Sequence, residues 1–149
     1  MAKRILVPLK STEPPASFVE ALAGLARGTD ATIRLLHVGP PHDNIVGDDG
    51  HVIAYADQET RRLDAEARDF MQPVAFALDG VPVEFSVRFG DPSREILDEV
   101  DAFGADLVVL GVGRRRHFWE LGGVAEQVFR RATVPVALLR AAHHERATH

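Results

Sequence analysis

The chain of 149 residues contains no cysteine. That excludes disulfides, thiolate nucleophiles, and any zinc or iron–sulfur centre that needs cysteine ligands. It also lacks a long hydrophobic run: no apolar stretch approaches the ~20 residues a bilayer span requires. Nothing near Met1 has the pattern of a secretory leader, because Met1-Ala2-Lys3-Arg4 runs straight into a short apolar segment interrupted by Pro8. An excess of positive charge is missing too. The formal net charge is −5, so the molecule as a whole should not be drawn to nucleic acid or to an anionic membrane. A local basic patch can still hold an anion. A cytoplasmic location is expected.

What is present fits one soluble domain. Hydrophobic residues make up 46% and charged residues 26%, which is ordinary globular usage. The expected domain spans 3–140, and the tail 141–149 is expected to be flexible.

Patterning along the chain predicts β-α-β-α-β-α-β-α-β. Residues 4–9 form a short, continuous apolar run, as a strand buried on both faces should, with Pro8 near its end where a missing N–H is tolerated. Phe18, Ala21, Leu22 and Leu25 recur at helical spacing before Gly28. Residues 32–38 read as a second strand, and His42 to Gly50 as a loop. A helical pattern through Leu63, Ala67, Phe70, Met71 and Val74 is expected to kink or end near Pro73. Residues 81–88 alternate with period two, which suits a strand towards a sheet edge. Gly90-Asp91-Pro92 is a helix start, with Asp91 as N-cap, Pro92 at the first helical position and Gly104 as the stop. Residues 106–110 form a second fully apolar strand. Val124, Ala125, Val128, Phe129 and Ala132 mark a last helix, and residues 134–139 a closing strand.

Regular alternation with short connections implies an open, doubly wound, five-stranded parallel sheet with helices on both faces. In such sheets ligands lie beyond the carboxyl ends of the strands, where strand order reverses. The strands 4–9 and 106–110 are the expected central pair. Their ends deliver Lys10 and the segment Gly111-Val112-Gly113-Arg114 to one crevice, facing the helix that starts near Gly122-Gly123. A helix N-terminus with its free N–H groups attracts anions.

Several segments, taken together, resemble the universal stress protein family: Ile5-Leu6-Val7-Pro8, Leu35-Leu36-His37-Val38, Gly90-Asp91-Pro92 with Ile96, Ala105 to Gly111, and Gly122 to Val128 with Val134-Pro135-Val136. The resemblance runs from Lys3 to Arg140. It implies a Rossmann-like domain of the adenine nucleotide alpha hydrolase type, His37 as a residue common at its position, and homodimer pairing through the closing strand at Val134, Val136 and Leu138. Nucleotide-binding members carry an Asp after the first strand. They also carry a glycine motif of Gly, two residues, Gly, nine residues, then Gly followed by Ser or Thr.

This chain departs from each of those features. Lys10 stands in place of the Asp. Gly111 matches the first glycine, but Gly113 comes one residue early, and eight residues separate it from Gly122. Gly123 replaces the hydroxyl residue. The candidate nucleotide- or anion-binding set is therefore Pro8, Lys10, Val38, Gly111, Gly113, Arg114, Gly122, Gly123 and Val124, in an altered cradle. Arg114-Arg115-Arg116 and Lys10 either rebuild an anion site with side-chain cations or, for the arginines, form a solvated face paired with Glu120 or with a partner.

Other candidates have plain readings. His37 is expected to be a packed, hydrogen-bonded strand residue. His42, Asp43, Asp48, Asp49 and His51 fit no ordered metal loop. Phe118 and Trp119 are either local packing over the shortened loop or a lid or interface anchor. There is no serine–histidine–acid order, no paired carboxylates in a foreseeable cleft, and no metal-ligand spacing. The expectation is a non-catalytic, dimeric stress-response protein acting through contacts with a protein partner. Its nucleotide site would be degenerate, and no cofactor or metal is expected. The alternative is a regulator that binds ATP or another phosphate ligand through the remodelled loop.

Overall fold

The computed structural model describes residues 3–10, 14–41, 50–112 and 123–140, with the side chains of 50–57 and 112 left aside. Nine elements alternate as the patterning predicts: β1 Lys3–Leu9, α1 Ala16–Arg27, β2 Ala31–Gly39, α2 Gly50–Ala77, β3 Val83–Phe89, α3 Pro92–Phe103, β4 Leu107–Val112, α4 Val124–Arg131 and β5 Val136–Arg140. All ladders are parallel and the sheet order is β3-β2-β1-β4-β5. The chain first winds outward from β1 through β2 to β3. It then crosses back to β4 on the other side of β1, so strand order reverses between β1 and β4.

Strand periodicity divides the core in two. Ile5, Val7, Leu9, Ile33, Leu35 and Val109 point to one face, where Phe18 and Leu22 of α1, Met71 and Val74 of α2, and Leu78 just after α2 cover them. Leu6, Leu36, Val38, Val108 and Leu110 point to the other, against Ile96, Val100 and Phe103 of α3 and Ala125 and Val128 of α4. Burial on both faces explains why the central strands β1 and β4 read as apolar runs. The alternating β3 lies at one edge of the sheet and β5 at the other. The β1–β4 ladder ends at Leu6 and Val108, two residues short of Pro8, which has no N–H to offer it.

The structure revises two boundaries. Of the two outcomes expected at Pro73, a kink or an end, the end is revised: α2 continues through the proline to Ala77. Pro73 is on the exposed side, whereas Met71, Val74 and Leu78 are fully or almost fully buried against the sheet. Their burial outweighs the backbone hydrogen bond that proline removes. β5 starts at Val136 instead of Val134, and Val134 packs instead with the α3–α4 side of the core. Among the described residues no helix is long and apolar enough to cross a membrane.

The start of α3 is built as its sequence indicates. Asp91 is extended (φ −73°, ψ 122°), and its Oδ2 accepts the Arg94 N–H at 3.1 Å. Gly104 closes the helix in the left-handed conformation (φ 71°). Ser93 Oγ lies 3.0 Å from Asp91 Oδ2 and 2.8 Å from the Gln127 side-chain oxygen, which ties the start of α3 to α4. Asp91→Ala is expected to cost about 1 kcal/mol in chemical denaturation, with the denaturant dependence unchanged.

Candidate functional site

The carboxyl ends of β2 and β3 finish level with one another, and β1 stops two residues earlier. Leu9 is in register with His37, and Gly39 with Phe89. The Gly90 N–H extends the β2–β3 ladder by donating to the Gly39 carbonyl at 3.1 Å. α2 passes over these ends, and between helix and sheet lies a cavity of about 640 Å³, within the usual range for small-molecule sites. Its walls are His37 to Pro41 after β2, Leu63, Ala67 and Phe70 of α2, and Gly90 and Pro92 at the start of α3. Lys10, at the end of β1, and Glu66 complete the lining.

The wall is apolar with polar groups at chosen points. His37 Nδ1 lies 3.1 Å from the Leu9 carbonyl oxygen. A carbonyl only accepts, so Nδ1 carries the proton, and the neutral ring then offers Nε2 as an acceptor. The imidazole meets Phe70 edge-on, with centroids 5.3 Å apart and planes at 86°. Glu66 Oε2 accepts from Arg62 Nη1 at 2.7 Å on the exposed side of α2, so its charge sits at the rim. Lys10 is the one cation among the described lining residues.

Two glycines shape the entrance. A Cβ at Gly39 would stand 2.8 Å from Phe89 Cδ1, so the bare backbone lets the last side chain of β3 close over the end of β2. Gly90 has φ +147°, a conformation that L side chains rarely adopt.

An ionic network centred on a buried carboxylate holds the α3 side of this wall. Glu99 is only 3% exposed. Its Oε2 accepts from Arg34 Nη1 at 2.7 Å and its Oε1 from Arg88 Nε at 2.5 Å. Arg34 also donates to Glu84 through Nε and Nη2, at 2.9 and 2.8 Å, and its guanidinium lies 4.2 Å from the Phe103 ring centroid. Arg88 Nη1 donates to Glu95 Oε1 at 3.0 Å, and Glu95 stands directly against Gly90. Burial alone would raise the Glu99 carboxyl. Hydrogen bonds from Arg88, Arg34 and Ser86 outweigh it and hold the group below its ordinary value.

Of the residues singled out from sequence, Lys10 and Val38 line the cavity. Pro8 is buried within β1 and Gly111 within β4, and neither is part of the lining. Gly123 is the N-cap of α4, and Val124 packs with the α3–α4 core. Gly113, Arg114 and Gly122 lie outside the described residues, as do Arg115, Arg116, Phe118, Trp119, Glu120, His42, Asp43, Asp48, Asp49 and the tail 141–149. His51 falls within α2, its side chain undescribed. Of the dimer candidates, Leu138 is exposed on the edge strand β5, whereas Val134 and Val136 are partly buried against the α3–α4 core.

Sequence reasoning passed over Phe70, Pro40, Pro41, Gly90 and Pro92 as site residues. Gly90-Asp91-Pro92 carries two messages, a helix cap and a cavity wall, and only the first is local. Phe70 reads as one more member of a helical stripe until α2 is laid across the ends of the strands.

The fold has many solved counterparts. The hypothetical protein MJ0577 superposes with a TM-score of 0.73 at 20% identity, over 95% of this chain and 97% of that one. A universal stress protein in complex with cAMP gives a TM-score of 0.58 at 16% identity, over 94% and 98%. The universal stress protein from Archaeoglobus fulgidus in complex with dAMP gives 0.54 at 19%, over 91% and 96%. A search of curated proteins found no match. The family model for universal stress proteins matches residues 1–140. This chain belongs to the universal stress protein family.

Proposed function

We propose that the chain is a non-catalytic, cytoplasmic regulator that binds an adenine nucleotide carrying one phosphate, in the cavity beyond β1, β2 and β3. The observation that supports this reading is the cavity itself: about 640 Å³ walled by flat and apolar groups, with a single described cation, Lys10, at the end of β1. A heterocycle suits the slot between Phe70, the prolines and the ends of the strands. Lys10 offers a monophosphate one opposite charge. Two structural neighbours are complexes with cAMP and dAMP, each a monophosphate. The glycine spacing between Gly111 and Gly123 departs from the family motif, which supports a monophosphate over a magnesium-bound triphosphate held by main-chain N–H groups.

Calorimetric titration tests the proposal. AMP or cAMP should bind with a Kd of about 100 μM or tighter, unchanged by EDTA, and ATP with magnesium should bind no better. Lys10→Ala should weaken AMP several-fold. Nucleotide turnover should stay at the level of buffer. No binding of any nucleotide at about 1 mM would overturn the reading.

A second reading, favoured by the loss of the family glycine motif, is a protein whose nucleotide site is out of use and which acts through protein contacts as a homodimer. The edge position of β5 and the exposure of Leu138 support that pairing.

A further inference from the structure

We propose that the outer face of α1 and α2 is a self-association surface, in which Phe76 of one copy of the chain seats in the α1–α2 groove of a second copy. Phe76 is 85% exposed, although it is one of the largest apolar side chains in the molecule. Within a turn of it on α2, Pro73, Val74 and Ala77 form one wall of a groove of about 440 Å³, and Val19 and Ala23 of α1 form part of the other. The surface therefore carries an exposed aromatic side chain beside a largely apolar groove with room for it. A two-fold interface requires that kind of patch, because each copy presents both parts to the other.

The rim favours a second copy over an apolar small molecule. Glu20 and Arg27, one residue of each sign, flank the groove. Arg27 is fixed there by donating through Nε and Nη2 to the Asp79 carbonyl at 3.2 and 2.8 Å. An identical surface meets such a rim with both opposite charges. Seating Phe76 would bury an aromatic ring that the isolated chain leaves in water. This face is independent of β5, which lies at the sheet edge, and of the nucleotide cavity, which lies at the carboxyl ends of the strands.

Sedimentation velocity of the full chain across a hundredfold concentration range tests it. The wild type should show a concentration-dependent doubling of mass. Phe76→Ser should weaken that step at least about tenfold, and since the side chain is exposed the variant should stay folded. Ala77→Trp, which keeps Phe76 and fills the groove, should weaken it equally. Leu138→Arg should disturb any β5 pairing but leave the Phe76-dependent step in place. A single mass for the wild type at every concentration would overturn the proposal. So would association that is unchanged in Phe76→Ser or in Ala77→Trp.

Discussion

Glu99→Ala lowers the folding stability by about 3 kcal/mol, a fall in Tm of roughly 6–12 °C for a domain of this size. The carboxylate is almost fully buried and is the common acceptor for Arg34 and Arg88. Removing it leaves two cations facing each other across β2 and β3 with no shared counter-charge. The loss falls at the low end for a broken buried pair because the arginine side chains keep 26% and 28% of their surface exposed, so water compensates in part. Glu84 and Glu95 also retain one arginine each. Glu99→Gln, which still accepts hydrogen bonds, should cost less.

The pH dependence has a definite sign. Glu99 is held below its ordinary value when folded. Its contribution is therefore complete above the unfolded carboxylate value of about 4.3. It disappears as the pH falls through the lower folded value. The gap in stability between wild type and Glu99→Gln, followed by urea unfolding, should narrow as the pH drops below about 4. A gap that widens on acidification would contradict the assignment.

Gly90→Val is expected to damage stability and binding together. The backbone there has φ +147°, and an added Cβ would stand 2.7 Å from Glu95 Oε2. Holding an ordinary residue in such a conformation costs about 1–3 kcal/mol. Glu95 can yield only by giving up its 3.0 Å bond from Arg88. The alternative is to move the backbone, which breaks the Gly90–Gly39 hydrogen bond and shifts the wall that includes Pro92. The affinity for AMP should fall at least about tenfold in calorimetry, while thermal unfolding reads the strain separately. Wild-type stability in the variant would show that the backbone relaxes without cost.

Much of the architecture was legible one element at a time. Helix and strand periods named all nine elements, and Asp91, Pro92 and Gly104 marked both ends of α3, because capping and stripe patterns are local. Pro73 left open, for the same reason, whether the helix kinks or ends. A proline removes a hydrogen bond whatever surrounds it, but whether a helix stops there depends on how much its next turns bury, and Val74 and Leu78 bury almost completely. The ionic network was invisible in advance: Arg34, Glu84, Arg88 and Glu99 are scattered charges until β2, β3 and α3 are packed together.

The candidate site divides along the same line. Chain order implied the parallel sheet and the expectation of a site beyond the carboxyl ends of its strands, with Lys10 and Val38 among its candidate residues. The altered glycine spacing is read only against the motif of the family. Only the tertiary structure decided that the cavity opens between α2 and the ends of β1, β2 and β3, with His37, Phe70, Gly90 and Pro92 as its walls. Those residues are up to 55 positions apart in the chain. They meet because burial of both sheet faces fixes where α2 and α3 must lie, and no local pattern encodes that distance.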